Sequence, residues 1–233
     1  MDAPACNWHE FASSETLALS FSETVAKVLS EAVGARGKAT LAVSGGTTPG
    51  LFFRTLSREK IDWAKVIVTL VDERFVPPDS PRSNAGLVAA NLLRNEAAAA
   101  EFIGLYSAAD DVATAAERAD EAIGRNALML DAVVLGMGAD GHTASFFPDA
   151  GNLAALLDPN AEANVLPVHA LSGIEPRLTL TLPRIVAAGF IALHIEGAEK
   201  RRVLEAALEG ESHLPVRAVF DHANVPVQIF WAP

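Results

Sequence analysis

His142 and Asp140 stand two residues apart in GMGADGHTASFFP, residues 136–148, directly after the apolar run AVVL. An imidazole can take a proton from water and return it to a leaving oxygen, and a carboxylate beside it can fix which ring nitrogen carries the proton. As a turn former, Asp140 has an equal claim through an Asx-type hydrogen bond. The other five histidines lack such company: His194 falls in a run that reads as a buried strand, and His9, His169, His213 and His222 stand in no motif.

Gly136, Gly138 and Gly141 also spell G-x-G-x-x-G, the pattern of a dinucleotide loop. A true dinucleotide loop opens the fold, leads into a long helix and is followed about 20 residues later by an acid that ends a strand. Here the pattern comes past the middle of the chain, Pro148 interrupts it, and the acid at the nominal distance, Asp158, lies in the loop-like LLDPNAE. The glycines are better read as letting the backbone turn sharply beside a ligand, with Asp140 and His142 at a strand's end.

Two further loops follow apolar strands. In AVSGGTTPG, residues 42–50, Ser44 could be a nucleophile on a variant elbow, or Ser44, Gly45 and Gly46 could cradle a phosphate ahead of a helix with Pro49 near its first turn. The elbow ordinarily arrives after several strands, which makes the phosphate reading the better placed; a plain capped loop is the third. VDER, residues 71–74, sets Asp72, Glu73 and Arg74 at a strand tip. Arg74 could fork onto a phosphate or carboxylate, although an isolated D-E-R is ordinarily a surface ion pair. Ser83 and Asn84 read as a helix N-cap without chemistry. Arg177 opens RLTLTL, and Lys200 sits in the first turn of a helix, where a cation opposes the helix dipole and so points to a nearby anion.

The elements that must carry these residues are legible as short apolar runs alternating with longer amphipathic ones. Strands are predicted at 39–43, 66–71, 131–135, 177–182, 190–195 and 227–231, and helices at 14–33, 49–57, 84–94, 111–125 and 197–209; NEAAAAE at 95–101 reads as a helix end. This order implies an α/β fold, a mostly parallel sheet with helices on both faces in three layers, with ligands at the carboxyl ends of the strands. No repeat or linker divides the chain, so residues 1–233 are expected to form one domain, and at 50% hydrophobic residues it can bury a large core.

Composition bounds the partners. A formal net charge of −11 repels a polyanion, and no basic cluster with interleaved aromatics offsets it, so nucleic acid is not expected. A small anion remains compatible, because a few converging cations set the local potential. The longest apolar stretch, IVAAGFIALHI at 185–195, is too short to span a bilayer. Cys6 is the lone cysteine and the opening MDAPACNWHE lacks a signal-peptide profile, so a cytoplasmic protein is expected. With no H-E-x-x-H, cysteine pair or EF-hand loop, no metal and no other cofactor are expected. Oligomeric state is not fixed by these features.

Taken together and in order, SGGTTP (44–49), VDER (71–74) with SN (83–84), GMGADGHTASFFP (136–148), PRLTLTLP (176–183) and GAEKRRVL (197–204) resemble the 6-phosphogluconolactonase family over nearly the whole chain. The resemblance implies hydrolysis of 6-phosphoglucono-δ-lactone to 6-phosphogluconate, the second step of the oxidative pentose phosphate pathway, without metal or cofactor. It implies His142 as the base that activates water, Arg74, Arg177 and Lys200 as the phosphate ligands, and the Ser44–Gly46 loop as a border of the same pocket. The related glucosamine-6-phosphate deaminases/isomerases carry D-E-Y and D-G-H-x-x-F-N-E-P, whose glutamate serves ring opening and deamination. Here those positions are Arg74 and Phe147, and phenylalanine transfers no proton; Asp72, matching the deaminase's proton-abstracting aspartate, is retained. Such a deaminase, a serine esterase on Ser44, a nicotinamide enzyme and a noncatalytic sugar-phosphate binder are the alternatives.

Overall fold

The computed structural model describes residues 5–127, 129–173, 175–209 and 212–233. In chain order the elements are β1 (Cys6–Glu10), α1 (Ser14–Arg36), β2 (Ala39–Val43), α2 (Gly50–Leu56), β3 (Val66–Leu70), β4 (Asp72–Arg74), α3 (Asn84–Asn91), β5 (Glu101–Ile103), α4 (Val112–Asn126), β6 (Ala132–Leu135), α5 (Leu153–Leu156), β7 (Val165–Val168), β8 (Arg177–Leu180), α6 (Leu182–Val186), β9 (Phe190–Glu196), α7 (Ala198–Leu208), α8 (Pro215–His222) and β10 (Val227–Ala232). Seven strands form one sheet in the order β1-β10-β9-β6-β2-β3-β5, every pair parallel, with helices on both faces.

The central strands have the composition such a sheet requires. Every residue of β2 (ATLAV) and β6 (AVVL) is buried, as expected where helices cover both faces and no side of the strand meets water. Helix α1 begins at a capping box between Ser13 and Thr16 and ends where Gly37, at φ 76°, takes the left-handed turn that closes its last carbonyls. It buries Leu17, Phe21, Val25 and Leu29, one per turn, and Phe21 stacks on Phe52 of α2 and Phe230 of β10 with centroids 4.2 and 4.1 Å apart. That aromatic stack fixes the loop between β2 and α2 over the sheet.

A second, smaller sheet departs from the expected layout. RLTLTL is not a strand of the large sheet: Arg177–Leu180 pairs antiparallel with both β4 and β7, and Thr181 then turns the chain into α6. Its strict polar–apolar alternation is the pattern of a strand with two unlike faces, whereas the buried parallel strands read as unbroken apolar runs. NEAAAAE likewise resolves into a 3₁₀ turn at Asn95–Ala99 followed by the edge strand β5. Among the described residues no helix is long and apolar enough to cross a membrane.

Candidate active site

A cleft of about 750 Å³, measured to its open mouth, lies at the carboxyl ends of β2 and β6 beside the small sheet. Ser44, Gly45, Gly46, Asp72, Arg74, His142, Arg177 and Lys200 all face it, so eight of the nine residues singled out in the sequence share one cavity. The ninth, Asp140, reaches it through His142.

The loop after β6 holds the imidazole. His142 Nδ1 lies 2.5 Å from Asp140 Oδ1, and the same oxygen accepts the His142 backbone N–H at 3.3 Å. Asp140 is therefore both turn former and ring partner. A carboxylate accepts only, so Nδ1 is the donor, which in the neutral imidazole leaves the lone pair on Nε2. Two of the glycines now have their reasons. A Cβ on Gly138 would overlap the His142 ring and the Asp140 carboxylate, and Gly141 turns at φ 76° with Leu214 packed where a side chain would project. The pattern that resembles a dinucleotide loop is thus a close-packed seat for the imidazole. The loop is tied down by Thr143 Oγ1 donating to Gly136 O at 2.8 Å and by Gly138 N donating to His142 O at 2.9 Å. Ala144, on the cavity wall, is held at φ 50°.

Ser44 is not arranged as a nucleophile. Its Oγ accepts the Gly136 N–H at 3.1 Å, and its own N–H bonds to Val134 O at 2.9 Å, so it joins the loops after β2 and β6. Among the described residues no imidazole is bonded to it. Downstream, Thr48 Oγ1 lies 3.5 Å from Lys200 Nζ, which brings the start of α7 against the β2 loop.

VDER is not a surface ion pair. Asp72 and Glu73 are buried, and the period of two in a strand separates their duties. Asp72 and Arg74 face the cavity; Glu73 faces α3 and accepts from Arg74 N, Asn84 N and Ala85 N at 2.7 Å each and from Ser83 Oγ at 2.9 Å. Burial pushes the Glu73 carboxyl up from its ordinary value, and the four donors oppose that rise. Ser83 caps α3 as expected, but Asn84 does more: it lines the cavity and donates from Nδ2 to Asp72 O at 2.8 Å, leaving Oδ1 buried without a hydrogen bond. An asparagine at the first turn of a helix reads as a cap, which hid its second role.

Across the β4–β8 ladder Arg74 is paired with Arg177, and Asp72 with Thr179. Two guanidiniums side by side on a strand pair repel unless anions lie near. Asp72 is one such anion, with Oδ2 3.7 Å from Arg177 Nη1, and Arg82 is held by Glu175 just outside. Burial is the main influence pushing Arg177 down, and Asp72 counters it. Arg74 Nη1 donates to Arg82 O at 2.5 Å. The result is a cationic wall of Arg74, Arg177 and Lys200 in a chain whose net charge is −11.

His194 was expected to be an ordinary buried histidine. It is buried in β9, bonded by Nε2 to Glu196 Oε1 at 3.0 Å, yet it also lines the cavity beside Lys200. Among the described residues no cluster of three metal-ligating side chains occurs.

Known proteins match this chain throughout. A family profile described as glucosamine-6-phosphate isomerases/6-phosphogluconolactonase covers residues 12–231. A 6-phosphogluconolactonase of Mesorhizobium japonicum is 57% identical over 100% of this chain and 98% of its own, and one of Rhizobium meliloti is 50% identical over 98% and 100%. The crystal structure of a 6-phosphogluconolactonase from Shewanella baltica OS155 superposes with a TM-score of 0.95 at 37% identity, covering 98% of both chains. By sequence, fold and the loops that frame its cleft, the chain belongs to the glucosamine-6-phosphate isomerase/6-phosphogluconolactonase family.

Proposed function

We propose that the protein, acting as a single domain, is a lactone hydrolase that converts 6-phosphoglucono-δ-lactone to 6-phosphogluconate, with His142 as its base. The observation that carries the reading is the His142–Asp140 pair at 2.5 Å, opening on a cleft walled by Arg74, Arg177 and Lys200. The relatives at 50% identity and above are named for this activity.

A lactone is an activated ester, so its hydrolysis needs a base for water and a proton for the departing ring oxygen. His142 Nε2 removes a proton as water adds to the carbonyl carbon. The tetrahedral intermediate then expels the ring oxygen, the carbon–oxygen bond breaks, and the imidazolium returns the proton to that oxygen. Asp140 holds the ring and stabilises the imidazolium. Arg74, Arg177 and Lys200, with the Ser44–Gly46 loop, hold the phosphate and thereby fix the carbonyl beside the base. The scheme uses no covalent enzyme intermediate and no metal ion. Phe147, where a deaminase has glutamate, supplies no proton-transferring group at that position, which favours hydrolysis over deamination.

The test is the rate of loss of 6-phosphogluconolactone, generated in place and corrected for spontaneous hydrolysis. Wild type accelerates the loss, and His142→Ala lowers kcat by about 10²–10⁴-fold, the usual contribution of one positioned base, while 6-phosphogluconate still binds. A wild-type protein without acceleration sinks the lactonase reading; a His142→Ala variant of near-full rate removes His142 from the chemistry.

A further inference from the structure

Arg177 has fewer partners than a buried guanidinium normally keeps. Its side chain is 12% exposed, its Nε has no hydrogen bond, and its closest carboxylate oxygen, Asp72 Oδ2, is 3.7 Å away. A direct charge-assisted hydrogen bond would close to about 2.7–2.9 Å. Two neighbours account for the gap. Ser145 Oγ donates to that same Asp72 Oδ2 at 2.6 Å and occupies it from the buried side. The Phe147 ring takes the guanidinium on its face, with Arg177 Cζ 5.2 Å from the ring centroid. The same ring packs on the His142 imidazole, centroids 4.4 Å apart at 33°.

We infer that Phe147 and Ser145 are positioning residues that hold Arg177 off Asp72, so that its donors stay available to the substrate's phosphate, and that Phe147 sets the spacing between this cation and the His142 base. The inference rests on the anion-binding role given to Arg177 above. Aromatic character at position 147 matters here, because an aliphatic side chain of similar bulk fills the space without attracting a guanidinium. A carboxylate there would pair with Arg177 and neutralise it. Ser145 acts from the other end: without its hydroxyl, Asp72 Oδ2 is free to draw Arg177 in.

The experiment compares Phe147→Leu, Phe147→Tyr, Ser145→Ala and Arg177→Ala with wild type, on 6-phosphogluconolactone and on gluconolactone without the phosphate. Phe147→Leu raises KM for the phosphorylated substrate by about 3- to 30-fold, the range of one partly desolvated cation–π contact. Phe147→Tyr, which keeps the ring face, stays near wild type, and Ser145→Ala moves KM in the same direction as Phe147→Leu. On the unphosphorylated lactone these increases vanish, an outcome that mere loosening of the fold does not produce. If Arg177→Ala leaves KM unchanged, the anion-binding reading of Arg177 itself is wrong. If Arg177→Ala raises KM while Ser145→Ala and Phe147→Leu do not, or if Tyr rescues no better than Leu, the positioning role is overturned and the binding role stands. Should Phe147→Leu lack a cooperative thermal transition, Ser145→Ala decides alone, since it removes only a hydroxyl.

Discussion

Replacing Glu73 by alanine should unfasten the active-site wall without touching any atom that faces the cleft. The carboxylate is fully buried and receives the first two N–H groups of α3, the Arg74 N–H and the Ser83 hydroxyl. Alanine leaves all four donors without that acceptor. If water entering the space satisfies half of them, two orphans at about 2 kcal/mol each cost about 4 kcal/mol. A chain of this size moves roughly 2–4 °C per kcal/mol, so Tm should fall by roughly 8–16 °C, read by calorimetry or circular dichroism. Because the Glu73 carboxylate no longer joins β4 to α3, leaving the Asn84 Nδ2 bond to Asp72 O to hold them, Asp72 and Arg74 are less firmly placed and kcat/KM falls as well. Glutamine, which keeps one accepting oxygen and removes the buried charge, should fall between wild type and alanine. The pH dependence has a definite sign. Burial raises the folded-state value of Glu73 above its ordinary 4.5, so between 4.5 and that raised value the folded protein holds a proton that the unfolded chain has released. Stability therefore declines as pH rises through this window and levels off above it, a slope that Glu73→Ala lacks. A Tm for Glu73→Ala within about 2 °C of wild type, with unchanged kcat/KM, would refute the reasoning.

Other expectations concern the cleft and its rear wall. Gly138→Ala places a methyl group where the His142 ring and Asp140 carboxylate lie, and a displacement near 1 Å should lower kcat by about 100-fold; an unaltered kcat in the soluble variant means that the pair needs no such seat. Arg74→Ala and Arg177→Ala should each weaken substrate by about 1.5–3 kcal/mol, roughly 10- to 150-fold in KM, and unchanged constants in both remove them from phosphate binding. Glu196 is held below its ordinary 4.5 chiefly by the His194 hydrogen bond, with Ser14 assisting at 2.6 Å. Its contribution is complete above 4.5 and is lost as pH falls through the lowered value, so a Tm series from about pH 3 to 6 should be flatter in Glu196→Gln than in wild type.

The residues that face the cleft were largely legible in the sequence because each follows an apolar run, and parallel strands deliver their following loops to one edge. The ends of β2, β3, β6, β9 and β10 fall within a residue or so of the runs that suggested them. Less was visible where a segment is short or its pairing is remote. At the two edges of the sheet β1 (CNWHE) is mostly polar and β5 (EFI) is only three residues long, and nothing local in VDER says that it will meet RLTL from about a hundred residues away. That pairing also decides the inward and outward faces, which is why Glu73 was passed over and Asn84 was taken for a cap alone. Phe147 was informative only as a missing glutamate; its contacts with Arg177 and His142 depend on a fold that no spacing rule encodes.

The register of β4 against β8 has a consequence for how such a chain can change over generations. Exposed loops in the chain between the two strands are free to lengthen or shorten, since closing a longer loop costs only about 0.6 kcal/mol per doubling. A one-residue slip of Asp72–Arg74 against β8 is another matter. It would invert the strand's faces, sending Glu73 into the cleft and turning Asp72 and Arg74 toward α3, so that Arg177 and Lys200 would face a glutamate in place of Arg74 while the hydrogen-bonded ladder survives. Lineages sharing this architecture should therefore scatter their insertions through the loops and keep these three positions free of gaps.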